Sequence, residues 1–462
     1  MEKKKKYEMD MCSGSIFKKM LFFAVPLMCS SILQLLFNAA DIVVVGRFAG
    51  DNALAAVGSN TAFINLLTNL FVGLSIGSNV LVAQYYGAKK EQDLKETVHT
   101  SILLSVYSGI ILTIVGIIAA RQILTWMQSP PEVLELAVVY LRIYFLGMTA
   151  TMVYNFGSAI LRAVGDTKRP LYYLLFAGIV NVILNLLFVI VFEMGVAGVA
   201  VATAISQTIS AGLVVRCLIC EQGGIHLDLQ ELRISKDKFF RILQIGLPAG
   251  FQGTVFSLSN VVIQSAINSF GAVVIAGNSA AANIEGFVYM AMNAFYQATI
   301  SFTSQNFGAK QYKRINKILF VGLLYVSIVG LVMGNACVIF GKTLLSIYTS
   351  SEQAMKAGLI RLTIVCGTYA LCGIMDVLVG ALRGIGYSIM PMIVSLVGAC
   401  GLRLLWIATV FKIPEYHVQE TIYVSYPITW TITLTVHAIC FIWARHKIGK
   451  KRNRSKCIVK DK

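Results

Sequence analysis

The chain superimposes on itself. Shifted by about 221 positions, AVPLMCSSILQLLFN at 24–38 falls on GLPAGFQGTVFSLSN at 246–260, with Pro26 on Pro248 and Asn38 on Asn260. AQYYGAK at 83–89 falls on SQNFGAK at 304–310, so that Gln84, Gly87, Ala88 and Lys89 meet Gln305, Gly308, Ala309 and Lys310. LRAVGDTKRP at 161–170 falls on LRGIGYSIMP at 382–391, aligning Leu161, Arg162, Gly165 and Pro170 with Leu382, Arg383, Gly386 and Pro391. Three separate blocks at almost one offset mean that the chain is two copies of one structural unit, and any fold assigned to it must be built twice.

Each copy holds six apolar stretches, each long enough to cross a bilayer. They lie at 17–41, 53–84, 97–120, 133–160, 170–192 and 195–218, then at 239–268, 272–303, 315–341, 356–380, 388–411 and 418–444. Of the 462 residues 57% are apolar and only 13% are charged, too few to cover the surface of a soluble domain of this size. Disorder is excluded by the same numbers. The chain is therefore expected to be an all-α polytopic membrane protein with twelve transmembrane helices. An even number of spans per copy keeps the orientation, so the two six-helix repeats are parallel, a plan of secondary transporters with substrate sites near the midplane between repeats. The expected organisation is a tail at 1–16, an N-terminal lobe at 17–218, a linker at 219–238, a C-terminal lobe at 239–446 and a basic tail at 447–462. The first apolar segment is too long for a signal peptide.

The net charge of +17 could point to nucleic acid, but its distribution argues otherwise. Of the 39 basic residues, 31 fall in the tails and the even-numbered connections, and five (Arg47, Arg121, Lys342, Lys356 and Lys412) fall on the opposite side. This is the positive-inside pattern. It predicts a multi-pass protein of the cell membrane with both termini cytoplasmic, the lipid bilayer as partner and no nucleic acid.

Enzyme chemistry has no constellation to rest on. There is no HExxH, no GxSxG and no paired catalytic carboxylates within the spans, and the histidines (His99, His226, His417, His437 and His446) are dispersed. Cys217 and Cys220 form a CxxC with no second pair, so no metal site is expected. A phosphate-binding GxxxxGK[ST] loop is missing, so an ion gradient is the expected driving force and no cofactor is needed.

Polar residues within spans are costly in lipid and so are functional candidates. Asp41 is the candidate acid within a span of the first copy, Glu135 standing at the very start of span 4. Gln34 and Asn38 precede it on roughly the same face, Asn181 and Asn185 stack four apart in span 5, and Asn155, Thr203 and Gln207 occupy spans 4 and 6. Together they can form a polar chamber around one carboxylate, able to hold a proton or a sodium ion. Asp41, Asn38, Asn155, Asn181, Asn185 and Thr203 are the candidate ion-coupling set. In the second copy Glu285 and Asp376 lie within spans, Asp376 repeating the position of Asn155, and Arg403 is a possible counter-charge for an Asp376–Arg403 pair. Gln34, Gln207, Asn260, Gln264, Glu285, Met290 and Tyr296 are candidate lining of a substrate cavity, with Glu285 facing it to attract cations. Pro26 and Pro248, inside the first span of each copy, are candidate hinges. Gly58, Gly73 and Gly77 read as close helix packing.

At these residues the chain resembles the multidrug and toxic compound extrusion (MATE) family, and within it the DinF-like branch. The stretches that carry the resemblance are PLMCSSILQLLFNAADIVVVGRFAG with LAAVG, QYYGAKK, LRAVGDTKRP, GLPAGFQ, QNFGAK and LRGIGYSIMP. The resemblance covers essentially the whole chain. The resemblance implies a V-shaped monomer of two six-helix lobes around a central cavity, exporting organic cations and other drugs against inward proton or sodium flow. It implies that Asp41 is the coupling acid, assisted by Asn181 and Thr203. The chain departs from the branch at Asn185, where a second acid is common, and lacks the acid that the sodium-coupled branch carries near Phe256. Both departures favour protons over sodium. A flippase of lipid-linked sugars is the alternative carried by a related fold class.

Overall fold

The computed structural model describes residues 7–126 and 130–460, and among these all regular structure is helical. The first copy folds as α1 (Ile16–Phe48), α2 (Asp51–Gly87), α3 (Glu91–Trp126), α4 (Pro131–Leu146), α5 (Met148–Ala163), α6 (Lys168–Leu186) and α7 (Gly195–Cys220). The second folds as α8 (Lys236–Asn268), α9 (Ala272–Gly308), α10 (Tyr312–Ile339), the short α11 (Gly341–Ser346), α12 (Glu352–Val365), α13 (Ala370–Gly384), α14 (Ile389–Ser395), α15 (Leu402–Ala408) and α16 (Gln419–Lys460). Eight of these segments are long and apolar enough to cross a bilayer alone, and two more are helix pairs bent within one span. α8 and α9 complete the twelve expected segments but are less apolar, because they carry Gln252, Asn260, Gln264, Asn278, Asn283, Glu285 and Asn293.

The repeat extends to single backbone conformations. Gly165 and Gly386 both sit at left-handed φ (96° and 94°), in the turns after α5 and α13. At Gly165 a Cβ would also run into the backbone of Met9, which is why LRxxG keeps glycine there. Lys89 and Lys310, each ending a GAK motif, share φ of 54° and 57° and close the C-termini of α2 and α9.

α1 and α8 run unbroken through Pro26 and Pro248, and in α1 Ser30 Oγ donates to the Pro26 carbonyl at 2.9 Å. Breaks between consecutive helices bend spans 4 and 10, by 45° between α4 and α5 and by 44° between α12 and α13. The breaks lie at Gly147 and Tyr369, at almost the repeat offset. Spans 5 and 11 each carry a π-helical turn, at Leu187–Val191 and Leu396–Gly401.

Contacts divide the chain into two compact units. One comprises residues up to Ser257 together with Ser304–Gln311, and the other comprises Leu258–Thr303 and the chain from Tyr312 onward. Glycines draw most of α8 into the first unit. A Cβ on Gly73 would lie 2.1 Å from Gly250 N, and one on Gly77 2.4 Å from the Ile242 carbonyl oxygen. The repeated motifs also meet reciprocally. A Cβ on Gly87 would strike the Gln305 carbonyl and one on Gly308 the Gln84 carbonyl, at 2.0 and 1.9 Å. The close-packing role expected of Gly73 and Gly77 is therefore seen directly.

Two segments expected to be simple connections are also packed into this unit. The N-terminal stretch is pinned by Met9 N–H to the Val164 carbonyl (3.2 Å), by Asn306 Nδ2 to the Met11 carbonyl (3.0 Å), and by the Tyr86 hydroxyl to the Glu8 carboxylate (2.9 Å), and it buries Met11 completely. In the connection before α8, Ile225 and Leu227 are buried, and Asp228 N–H donates to His99 Nε2 at 3.1 Å.

The outward faces are apolar. Ile110, Ile114 and Ile118 make an exposed stripe on α3, and Phe176, Ile179 and Ile183 make another on α6, at helical spacing. Stripes of this kind suit hydrocarbon and not water.

Candidate functional sites

The first unit gathers its polar groups from three helices. On α6, Asn185 is wholly buried and Asn181 nearly so, four residues apart and therefore on one face. Asn185 Nδ2 donates to Asp41 Oδ1 on α1 and to Asn181 Oδ1 at 3.2 Å. Asn181 Nδ2 reaches Thr203 Oγ1 on α7 at 3.4 Å, and that hydroxyl donates to the Val199 carbonyl at 2.9 Å. The result is a chain of groups, Asp41–Asn185–Asn181–Thr203, ending on a helix backbone. No basic side chain lies within ion-pair distance of Asp41 among the described residues. Asn185 Oδ1 is buried and makes no hydrogen bond.

Four of the six candidate coupling residues are thus brought together. Asn38 and Gln34 are exposed, and Asn155 and Gln207 are half-buried outside this chain of hydrogen bonds. Two residues that sequence reasoning missed feel the charge of the carboxylate. Tyr140 and Tyr144 on α4 are stacked at 5.9 Å between centroids and lie within electrostatic reach of Asp41. Their spacing of four on an apolar helix was the available signal.

In the second unit the expected Asp376–Arg403 pair does not form. Glu285 takes Arg361 instead, bidentately, with Nε to Oε1 at 2.8 Å and Nη2 to Oε2 at 2.7 Å. Arg361 Nη1 donates to Asn278 Oδ1 at 2.6 Å, which also accepts from the Tyr423 hydroxyl at 3.2 Å, and Asn278 Nδ2 donates to Gln264 Oε1 at 3.0 Å. Glu285 is 4% exposed, so it is a satisfied member of a buried network and does not look into an open cavity. Gln264 belongs to the same network. Asp376 on α13 is half-buried and lies within electrostatic reach of Arg383 and of Tyr289. Arg383 donates to the Tyr296 hydroxyl, which takes that side chain out of a free cavity wall. Met290 is half-buried and Asn260 is exposed. Arg403 stacks on Tyr426.

A helical membrane bundle built twice, with an unpaired carboxylate inside one unit and no metal-ligand cluster among the described residues, has the anatomy of a transporter. The family model MatE matches this chain twice, over residues 26–187 and 248–408, so the two matches begin at Pro26 and Pro248. The chain belongs to the MATE family of membrane transporters and is not an enzyme. It is 27% identical over 448 residues to YoeA of Bacillus subtilis (strain 168), described as a probable multidrug resistance protein, covering 94% of this chain and 96% of that one. It is 24% identical over 394 residues to NorM of Thermotoga maritima, also described as a probable multidrug resistance protein, with 84% of each chain covered. Its fold matches the outward-facing structure of a multidrug resistance MATE transporter of the MOP superfamily with a TM-score of 0.89, at 21% identity, over 98% of this chain and 100% of that one.

Proposed function

We propose that this chain is a proton-coupled antiporter that exports amphipathic, mostly cationic organic molecules across the cytoplasmic membrane by alternating access. The observation that carries the proposal is the Asp41 carboxylate held by a neutral amide and by no cation. Protonation there removes a charge that no neighbouring base balances, so one proton changes the electrostatics of α1 relative to α6 and α7. An amide relay accommodates both states, donating to the carboxylate and accepting from the acid. Coupling follows if proton and drug bias the same two conformations in opposite directions. The drug names of the relatives and the cytoplasmic placement of the basic fringe support the same reading.

Sodium coupling is the second reading, and one observation favours it. Asn185 Oδ1, Asn181 Oδ1, Thr203 Oγ1 and Asp41 supply the oxygens a hard cation seeks, and the first of these has no hydrogen-bond partner. Ethidium transport in proteoliposomes separates the two. Drug movement driven by an imposed proton gradient in sodium-free buffer supports the proposal, and drug movement driven only by a sodium gradient overturns it. Scrambling of a lipid-linked sugar with no drug movement would instead make the chain a flippase.

A further inference from the structure

The buried charges of the second unit do not balance. Glu285 is neutralised by Arg361, and Asp376 lies within electrostatic reach of Arg383. Arg403 remains. It opens α15 just after the π-helical turn at Leu396–Gly401 and is 3% exposed. No carboxylate lies within ion-pair distance of it among the described residues, and the neighbouring charge is the repelling guanidinium of Arg361. A guanidinium cannot shed its proton to escape burial.

What Arg403 does have is incomplete. The guanidinium lies 3.8 Å from the Tyr426 ring centroid and 5.9 Å from that of Trp430, and Nη2 donates to Thr429 Oγ1 at 3.1 Å. The Nε–H is buried and has no partner. Stacking on an aromatic face offsets only part of the cost of desolvating an ion. The site therefore presents a fixed positive charge and a buried Nε–H donor without a partner.

We propose that Arg403 binds a small monovalent anion, either a halide or a carboxylate group. The source is inorganic chloride or the carboxylate of a zwitterionic substrate, and the shared requirement is one negative charge that accepts from the Arg403 Nε–H. Such a site lets a chain that favours cations also hold molecules bearing an acid.

The test uses the purified full chain in gluconate buffer, titrated with chloride and separately with acetate. Tryptophan fluorescence, to which Trp430 reports, and the thermal unfolding midpoint are both followed. The wild type is expected to show a saturable response to at least one anion, weakened about tenfold or more in Arg403→Gln and partly retained in Arg403→Lys. Arg403→Lys, which keeps the buried charge, carries the test where Arg403→Gln does not fold. Trp430→Phe should lose the fluorescence change and keep the thermal shift. A response to chloride alone assigns an inorganic ion, and competition by acetate assigns a carboxylate. The proposal is overturned if the wild type responds to neither anion, or if Arg403→Gln responds as the wild type does.

Discussion

Asn185 on α6 donates its side-chain amide to the Asp41 carboxylate on α1. That bond ties the first span of the repeat to the fifth, and the amide is itself bonded to Asn181 and through it to Thr203 on α7. Replacing Asn185 by Leu removes the donor and leaves the ionised Asp41 carboxylate without its partner. Hydrogen bonds to charged groups are worth about 1.5–3 kcal/mol, so proton-driven export is expected to fall about tenfold or more, with drug binding little changed. Initial export rates at several external pH values, alongside equilibrium drug binding, check this. A loss of drug binding with the pH profile intact would assign Asn185 to the substrate instead.

Glu285 and Arg361 are predicted to be a structural pair. Removing one partner of a buried ion pair leaves the other charge uncompensated and costs about 3–5 kcal/mol, whereas replacing both by apolar groups is close to neutral. Glu285→Gln and Arg361→Met should each lower the thermal unfolding midpoint sharply, and Glu285→Met combined with Arg361→Met should recover much of it. Were Glu285 a drug-binding acid in an open cavity, Glu285→Gln would weaken cation binding and leave the midpoint in place.

The close approaches of α2 give a steric prediction. Gly77 faces the Ile242 carbonyl and Gly87 the Gln305 carbonyl at distances no Cβ can share. Gly77→Val and Gly87→Val are each expected to cost about 1–3 kcal/mol or more through overpacking. Gly58→Ala, with open space around its Cβ, is the control expected to be tolerated. Thermal unfolding of the three purified variants makes the comparison.

The N-terminal stretch gives a fourth prediction. It joins the ends of α2, α5 and α9 through Glu8, Met9 and Met11. Deleting residues 2–12 should expose the Tyr86 and Asn306 side chains and lower the unfolding midpoint by several degrees, a loss that Asn306→Ala should reproduce in part. An unchanged midpoint would mean that the stretch is held without contributing stability.

Periodicity and self-similarity made the helices, their number and their duplication legible, because an offset that preserves motifs also preserves the backbone, down to Gly165 and Gly386. Asn181, Asn185 and Thr203 were legible as one cluster with Asp41, since a spacing of four fixes a shared face and burial in lipid demands partners. What failed was pairing between helices. Arg361 stood near a span end and gave no sign of reaching Glu285, because that contact depends on how α12 rotates against α9. The bends of spans 4 and 10 gave no sign either, because the breaks at Gly147 and Tyr369 carry no proline.

The central claim is that Asp41 is the proton site that drug binding displaces. Proton release on adding ethidium to the purified protein in weakly buffered solution tests it most directly, with Asp41→Asn measured alongside. The account predicts proton release by the wild type that diminishes at both pH extremes and is abolished in Asp41→Asn, with the variant still binding the drug. Equal proton release by the two proteins would contradict it.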